Sequence, residues 1–249
     1  MIAVCTIISD RKKDSVYCMP RLAELDGDYS VYVNHERWHP PPEQGGCGFG
    51  YGYFTQERWY IDQWYVHQSF PSKSSPWRPI ARFDQDQSRL VPITTARNMC
   101  IDFAMVMQAS HLLFVDADVI PPKDVIPKLL ELDHPIVGGL VPGRGAHRNF
   151  KYVFGEISRM ELDRGDIKVP IIVCSHGTCG LMMIKREVFE RLRFRYGPGF
   201  AEDGHREELS EDPAYCYDAN KLGFGNMWIR EDVVAEHLGD LKDNETAQF

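Results

Sequence analysis

Long apolar runs are missing from this sequence. No stretch of about twenty consecutive apolar residues occurs, the length that crosses a hydrocarbon core, so no membrane span is expected. Positive charge is also in short supply, with 28 Lys and Arg against 36 Asp and Glu and a formal net charge of −8. That balance disfavours non-specific binding to polyanions, which draws on a basic field to release counterions, while leaving room for a local basic patch. No Cys-x-x-Cys pair is present, and the seven cysteines, at 5, 18, 47, 100, 174, 179 and 216, are odd in number and scattered. Free thiols and a reducing, cytoplasmic setting are the expectation. The apolar start at residues 1–9 has no basic region before it and no cleavage site after it, so it reads as a first strand rather than a signal peptide. Internal repeats and low-complexity linkers are absent as well.

What is present suits one globular unit: 249 residues, 43% hydrophobic, enough to bury a substantial core. Residues 2–8 are β-branched and apolar and give way to Ser9-Asp10-Arg11-Lys12-Lys13, as a buried parallel strand gives way to a surface loop. Four of the five tryptophans fall between Trp38 and Trp77, where Pro40-Pro41-Pro42 and the glycine-rich run 45–52 predict a long loop without regular structure. Thr94-Thr95 read as hydroxyl caps for a helix in which apolar residues recur at 96, 99, 100, 103, 104 and 107. A strand at 111–115, a helix near 123–132 and a strand from Ile136 that Gly138-Gly139 close come next. Strands are expected near 151–157, 168–174, 181–185 and 227–235, and helices near 186–193 and 212–221. Between the last two helices lies an acidic loop at 197–210, in which His205, Glu207 and Glu208 form either a solvated surface or a lid over bound ligand.

Asp116-Ala117-Asp118 follows the apolar strand directly. Alternation along a strand points residues i and i+2 the same way, so both carboxylates project beyond the carboxyl edge of the sheet, where open α/β sheets bind ligands. Two carboxylates there suit a hard divalent ion together with phosphate oxygens. A solvated pair of acids at a strand end is an equally ordinary use of the motif when it stands alone. Cys174, His176 and Cys179 lie close together, but their spacing fits no common zinc site.

The order of motifs is more specific than any one of them. Apolar strand–Asp116-x-Asp118, then Gly177-Thr178-Cys179-Gly180-Leu181-Met182-Met183, then Ser210-Glu211-Asp212, then Glu236-His237-Leu238-Gly239 resembles glycosyltransferases of the GT-A fold. The resemblance runs over about residues 90 to 240 plus the first strand, includes the helix start Ala96-Arg97-Asn98, and is nearest to family-2-type enzymes and their small bacterial and phage relatives. It implies an α/β fold with a Rossmann-like, mixed, mostly parallel sheet flanked by helices. It also implies a single domain, with residues 1–120 as the nucleotide-sugar half, including an aromatic excursion at 38–80, and 121–249 as the acceptor half. By the same resemblance Asp116, Asp118 and His237 bind the metal, and the imidazole favours Mn²⁺ over Mg²⁺. Asp116 and Asp118, with Arg97 and Gly180, are then the residues that meet a nucleotide-sugar donor, of which a UDP-sugar is the expected kind. Asp212, or else Glu211, is the implied base that takes a proton from the acceptor hydroxyl in an inverting transfer; the alternative reading of Asp212 is as a cap for its helix.

Other readings stay open. A retaining enzyme of the same fold carries the same acids and late histidine. A non-catalytic sugar-binding protein on this fold is the rival of another class. The haloacid-dehalogenase phosphotransferases also place Asp-x-Asp after a strand, but near the start of the domain and with Thr or Val where Ile120 stands. Sugar nucleotidyltransferases carry a glycine-rich loop after the first strand, which residues 9–13 lack. The acceptor is a saccharide, a glycoconjugate or a modified DNA base, the last disfavoured by the acidic balance. Trp59, Trp64 and Trp77 either line the acceptor side by stacking on sugar rings, or cover the sheet or a protein interface.

Overall fold

The computed structural model describes residues 1–8, 21–22, 24–38, 48–54, 90–116, 118–142, 151–152, 155–165, 167–200 and 206–237. Its centre is a mixed sheet of ten strands. The strands are β1 (Ile2–Ile8), β2 (Tyr29–Trp38), β3 (Gly48–Phe54), β4 (His111–Val115), β6 (Ile136–Pro142), β7 (Lys151–Tyr152), β8 (Glu156–Arg164), β9 (Ile167–Cys174), β10 (Leu181–Lys185) and β13 (Met227–Val234). Their spatial order is β3-β2-β1-β4-β10-β6-β13-β9-β8, with β7 attached to β6. β1 is parallel to both neighbours, with Val4 beside Val31 on one side and Leu113 on the other. β6 and β13 form the other parallel pair. β10 runs antiparallel between β4 and β6, so β1, β2, β4, β6 and β13 all point one way although most neighbours are antiparallel.

Alternation along the central strands sorts the core into two layers. Ala3, Cys5, Leu112, Phe114, Met182 and Ile184 face one side. Ile2, Val4, Leu113, Val115, Leu181 and Met183 face the other. Helices α1 (Leu90–Val106), α3 (Arg186–Phe189) and α4 (Glu211–Lys221) cover the first face through Cys100, Ile101, Phe103, Phe189 and Tyr215. Helix α2 (Val125–Leu130) covers the second through Val125, Ile126 and Leu129. This is the α/β architecture, a mixed sheet with helices on both faces, that the sequence implies; the expectation of a mostly parallel sheet is corrected, since only β1–β2, β1–β4 and β6–β13 pair in parallel among the described strands, hairpin-like and reversed neighbours making the rest antiparallel. Two small ladders complete it, β5 (Val119–Ile120) with β14 (Glu236–His237), and β11 (Gly197–Phe200) with β12 (Arg206–Leu209). No described helix is long and apolar enough to cross a membrane. The five described cysteines are all free and buried.

Several local expectations are corrected. Residues 48–54, expected to be irregular, form the edge strand β3 on β2; the sheet edge supplies backbone partners that local glycine content cannot predict. Helix α1 begins at Leu90, so Thr94 and Thr95 lie inside it rather than capping it, and Pro92 falls in the first turn, where no amide donor is needed. The helix expected at 186–193 is one turn long. The acidic segment 197–210 contains the β11–β12 hairpin; the side chains of Glu207 and Glu208, and all of His205, lie outside the described residues, as do Trp59, Trp64 and Trp77. Gly138 and Gly139 do not end β6, which continues to Pro142. They sit in mid-strand because neighbours leave no room for a side chain: a Cβ on Gly138 would lie 2.7 Å from the Leu181 carbonyl oxygen, and one on Gly139 2.8 Å from that of Val233.

Gly138→Ala is therefore expected to cost about 2 kcal/mol or more, the scale of overpacking against backbone that cannot yield. The midpoint of a urea titration should fall with an unchanged slope. A midpoint equal to that of the unsubstituted chain would show that the strands part easily there.

Candidate active site

Because β4, β6 and β13 point the same way, their carboxyl ends meet at one edge of the sheet, together with the amino end of the reversed β10. The predicted acids emerge there. Asp116 leaves β4 with its amide donating to the Gly180 carbonyl at 3.1 Å, and its own carbonyl accepts from Val119 at 3.0 Å. This fixes the turn that carries Asp118, which is buried. Gly180 lies directly against Asp116: a Cβ there would stand 3.5 Å from Oδ2 and 3.2 Å from the Thr178 hydroxyl. Gly177 has a different reason, since its missing side chain makes way for Met227.

Arg97 is the hub. It projects from α1, is only 5% exposed, and lies over the rings of Phe114 and Phe194 at 5.4 and 5.7 Å. Nη2 is 3.6 Å from Asp116 and 3.7 Å from Glu211, and Nε is 3.5 Å from Asp212. Burial alone would lower its pKa; Cys179 (were it ionised) and the carboxylates of Asp212, Asp116 and Glu211 more than offset that and hold the guanidinium charged. Cys179 itself is a buried thiol, pushed up by desolvation above all, and is no nucleophile at neutral pH.

Helix α4 presents the two later acids. Ser210 occupies the cap position in an extended conformation, so Glu211 and Asp212 are the first two helical residues, where the helix dipole favours negative charge. Asp212 does not cap its helix. Its Oδ2 accepts the Cys179 backbone amide at 2.8 Å, while Oδ1 is buried without a hydrogen bond, as is Nε of Arg97 facing it. Glu211 accepts from the Tyr196 hydroxyl at 3.1 Å. Burial and the Glu211 charge push that phenol up, so Tyr196 stays a donor.

His237 comes to the same edge on β14. A carbonyl oxygen only accepts, so the 2.6 Å contact with Pro142 makes Nδ1 the donor. Nε2 then faces Oδ2 of Asp118 at 3.3 Å. A carboxylate beside an imidazole whose far nitrogen is tied to a backbone carbonyl is the arrangement in which histidine ligates metals. The pair fits a divalent cation on those grounds. Asp116 is near enough to feel both charges, but its carboxylate is turned to Arg97. Among the described residues no three His, Cys, Asp or Glu side chains form a ready-made metal cluster. The structure thus joins Asp118 to His237, and Asp116 to Arg97, Glu211 and Asp212. Cys174, His176 and Cys179 likewise form no metal group.

Phe194 and Tyr196 were not foreseen from the sequence, and Asn98, singled out only as part of the Ala96-Arg97-Asn98 helix start, takes its role through them. Asn98 clamps the backbone of Phe194, its Oδ1 accepting the amide at 2.7 Å and its Nδ2 donating to the carbonyl at 2.9 Å. Phe194 in turn stacks on Tyr215 at 4.2 Å, and Tyr196 holds Glu211. Asn98 lies beside Arg97 in the motif, but nothing in the sequence marks residues 194–196 as its partners.

No protein-family model and no curated protein matches the sequence. Among solved structures, the fold is that of the GT-A glycosyltransferases. GalNAc-T7, solved with UDP, GalNAc and Mn²⁺, is 13% identical with a TM-score of 0.50; the match covers 95% of this chain and 43% of that one. S. aureus TarS gives 13% identity, a TM-score of 0.50, and coverage of 95% and 36%. The chain thus spans less than half the length of either. The A197 protein from STIV superposes with a TM-score of 0.46 at 15% identity, over 95% of this chain and 85% of its own.

Two stability effects follow from the cluster. Arg97→Met strands three carboxylates and should cost about 3–5 kcal/mol, the scale for breaking a buried charge group. Asp116→Asn should act the other way. Burial first, then Asp118 and Glu211, raise the Asp116 carboxyl against the pull of Arg97 and His237. A raised folded pKa makes the ionised form destabilising, fully so above that pKa and less as pH falls toward the unfolded value. The asparagine variant should melt higher than the unsubstituted chain at neutral pH, with the gain shrinking as pH drops through the carboxylate range. A gain that grew on acidification would contradict this sign.

Proposed function

We propose that the protein transfers a sugar from a nucleotide-sugar donor, a UDP-sugar in the first instance, to an acceptor hydroxyl, with a divalent cation at Asp118 and His237. The observation that carries this reading is the Asp118–His237 pair, with Nδ1 committed to Pro142, beside the Arg97 cluster at the carboxyl edge of a GT-A-type sheet. The neighbour solved with UDP, GalNAc and Mn²⁺ supports the ligand class. A cation bound there supplies Lewis-acid charge neutralisation for the departing nucleoside diphosphate, and the imidazole makes Mn²⁺ the better candidate. Asp116 meets the donor nucleotide at its half-open carboxylate, and Gly180 keeps the wall behind it flat. Arg97 lies within 3.5–3.7 Å of Asp116, Glu211 and Asp212 and offers positive charge beneath the diphosphate.

The base is Asp212. Glu211 has Tyr196 on one oxygen and Arg97 near the other, which leaves it a field-setting role. Asp212 has one oxygen fixed by the Cys179 amide and a second that no hydrogen bond satisfies. An oxygen so held is oriented and can accept the acceptor's proton while the hydroxyl attacks the anomeric carbon, inverting it. The first half of the chain carries the donor and the second the acceptor in this scheme, within one domain.

The test is a thermal-shift screen of nucleoside diphosphates with and without Mn²⁺, paired with donor-hydrolysis assays. UDP with Mn²⁺ should stabilise the chain by about 2.7 kcal/mol at a hundredfold excess over the dissociation constant. Asp118→Ala should lose both that shift and turnover. Asp212→Asn should keep the shift and lose turnover by about 10²–10⁴-fold, the usual contribution of a general base. Binding without turnover in the unsubstituted chain would point to a sugar-binding protein instead, and product of retained configuration by proton NMR would remove Asp212 as base.

A further inference from the structure

Four consecutive residues, Arg193 to Tyr196, bridge the two helices that carry Arg97 and Asp212. The first two tie to α1. Arg193 donates to Asp102 at 3.2 Å, and Asn98 holds the backbone amide and carbonyl of Phe194 at 2.7 and 2.9 Å. The last two tie to α4. Arg195 donates to both oxygens of Asp218, at 2.6 and 2.7 Å, and the Tyr196 hydroxyl donates to Glu211 at 3.1 Å. The anchor positions are spaced for this. Asn98 and Asp102 are one turn apart on α1, and Glu211 and Asp218 two turns apart on α4, so each set lies on one helix face. Between the ties the Phe194 ring meets both sides, lying 5.7 Å from the Arg97 guanidinium and 4.2 Å from the Tyr215 ring of α4.

The ties are closed, yet the pair they bracket is open. Nε of Arg97 stands 3.5 Å from Oδ1 of Asp212, and neither atom has a hydrogen bond. Buried opposite charges gain by closing to about 2.8 Å, so two unsatisfied partners beyond that distance have to be held apart. The Cys179 amide fixes Asp212 from one side. We propose that residues 193–196 form a spacer strap that sets the width of this gap, with Asn98 and Arg195 as positioning residues. The strap keeps Arg97 near enough to supply charge and too far to take Oδ1, which stays available to the acceptor hydroxyl. This role rests on the reading of Asp212 as the base. The Arg193–Asp102 tie is solvent-exposed and adds little. Stiffness comes from the bidentate Arg195–Asp218 pair and the two-bond Asn98 clamp.

Arg195→Met and Asn98→Ala each release one side of the strap, and far-UV circular dichroism with melting curves identifies the variants that fold. In crystals of those variants the Arg97–Asp212 separation should close to about 2.9 Å, a hydrogen-bonded pair. Turnover is read on a panel of UDP-sugars with Mn²⁺, water serving as acceptor. There kcat should fall about tenfold or more while the donor KM stays within about twofold, the pattern of an interaction used only in the transition state. The thermal shift with UDP and Mn²⁺ should be kept. Arg195→Glu should behave as Arg195→Met does, and adding Asp218→Arg to it should restore both the open gap and the rate. A separation that stays at 3.5 Å in Arg195→Met, or a reversed pair that fails to restore the rate, overturns the spacer and leaves the base to its own test in Asp212→Asn. A gap that closes with turnover intact, or no turnover by the unsubstituted chain, overturns the base reading and this role with it.

Discussion

A guanidinium buried among three carboxylates governs the organisation of this protein's site. Arg97 cannot be left uncompensated in the interior, and neither can the largely buried Glu211 and Asp212; the half-open Asp116 meets them at the rim. The requirement binds α1, the end of β4 and the start of α4 into one arrangement. The Phe114 and Phe194 rings form the apolar bed on which it rests. Asn98 and Tyr196 then fix the approach of the 194–196 segment, so that Glu211 is held from two directions.

A second buried arginine shows by contrast how the site is built. Arg230 donates at 2.6 Å to both Asp232 and the Lys128 carbonyl, and at 2.5 Å to Glu131. That network is closed and serves packing. Around Arg97 the separations are 3.5–3.7 Å, and donor and acceptor atoms on Arg97 and Asp212 stay unsatisfied. Unsatisfied buried polar atoms cost stability and persist where something else draws on them. The proposed chemistry uses them: an oriented carboxylate for a proton, and a cationic hub beneath a diphosphate.

The sheet explains why residues so far apart in sequence act together. Three co-directional strands end at one edge, and the reversed β10 returns the chain there through Gly180. Asp116, Gly180, Glu211 and His237 are thus delivered to a single rim by strand direction. The fold shared with GT-A structures accounts for that rim but does not specify a donor or an acceptor, which belong to side chains and loops rather than to the architecture.

The sequence by itself determined the strands whose apolar runs are buried on both faces, β1, β4 and β10, because burial there is a property of the residues in the run. It also determined that Asp116 and Asp118 emerge together at a strand end, since period-two alternation is local. The order of later motifs marked Asp212 and His237 as their company. Tertiary structure decided the rest. β3 exists only because β2 offers it partners, and β6 runs through Gly138 and Gly139 because the flanking strands crowd out side chains there. The division of the acids, Asp118 toward His237 and Asp116 toward Arg97, and the choice of Asn98 and Tyr196 as supports, depend on contacts across roughly a hundred residues of chain. Pairings of that separation are set by how the elements pack, which no local pattern of residues encodes.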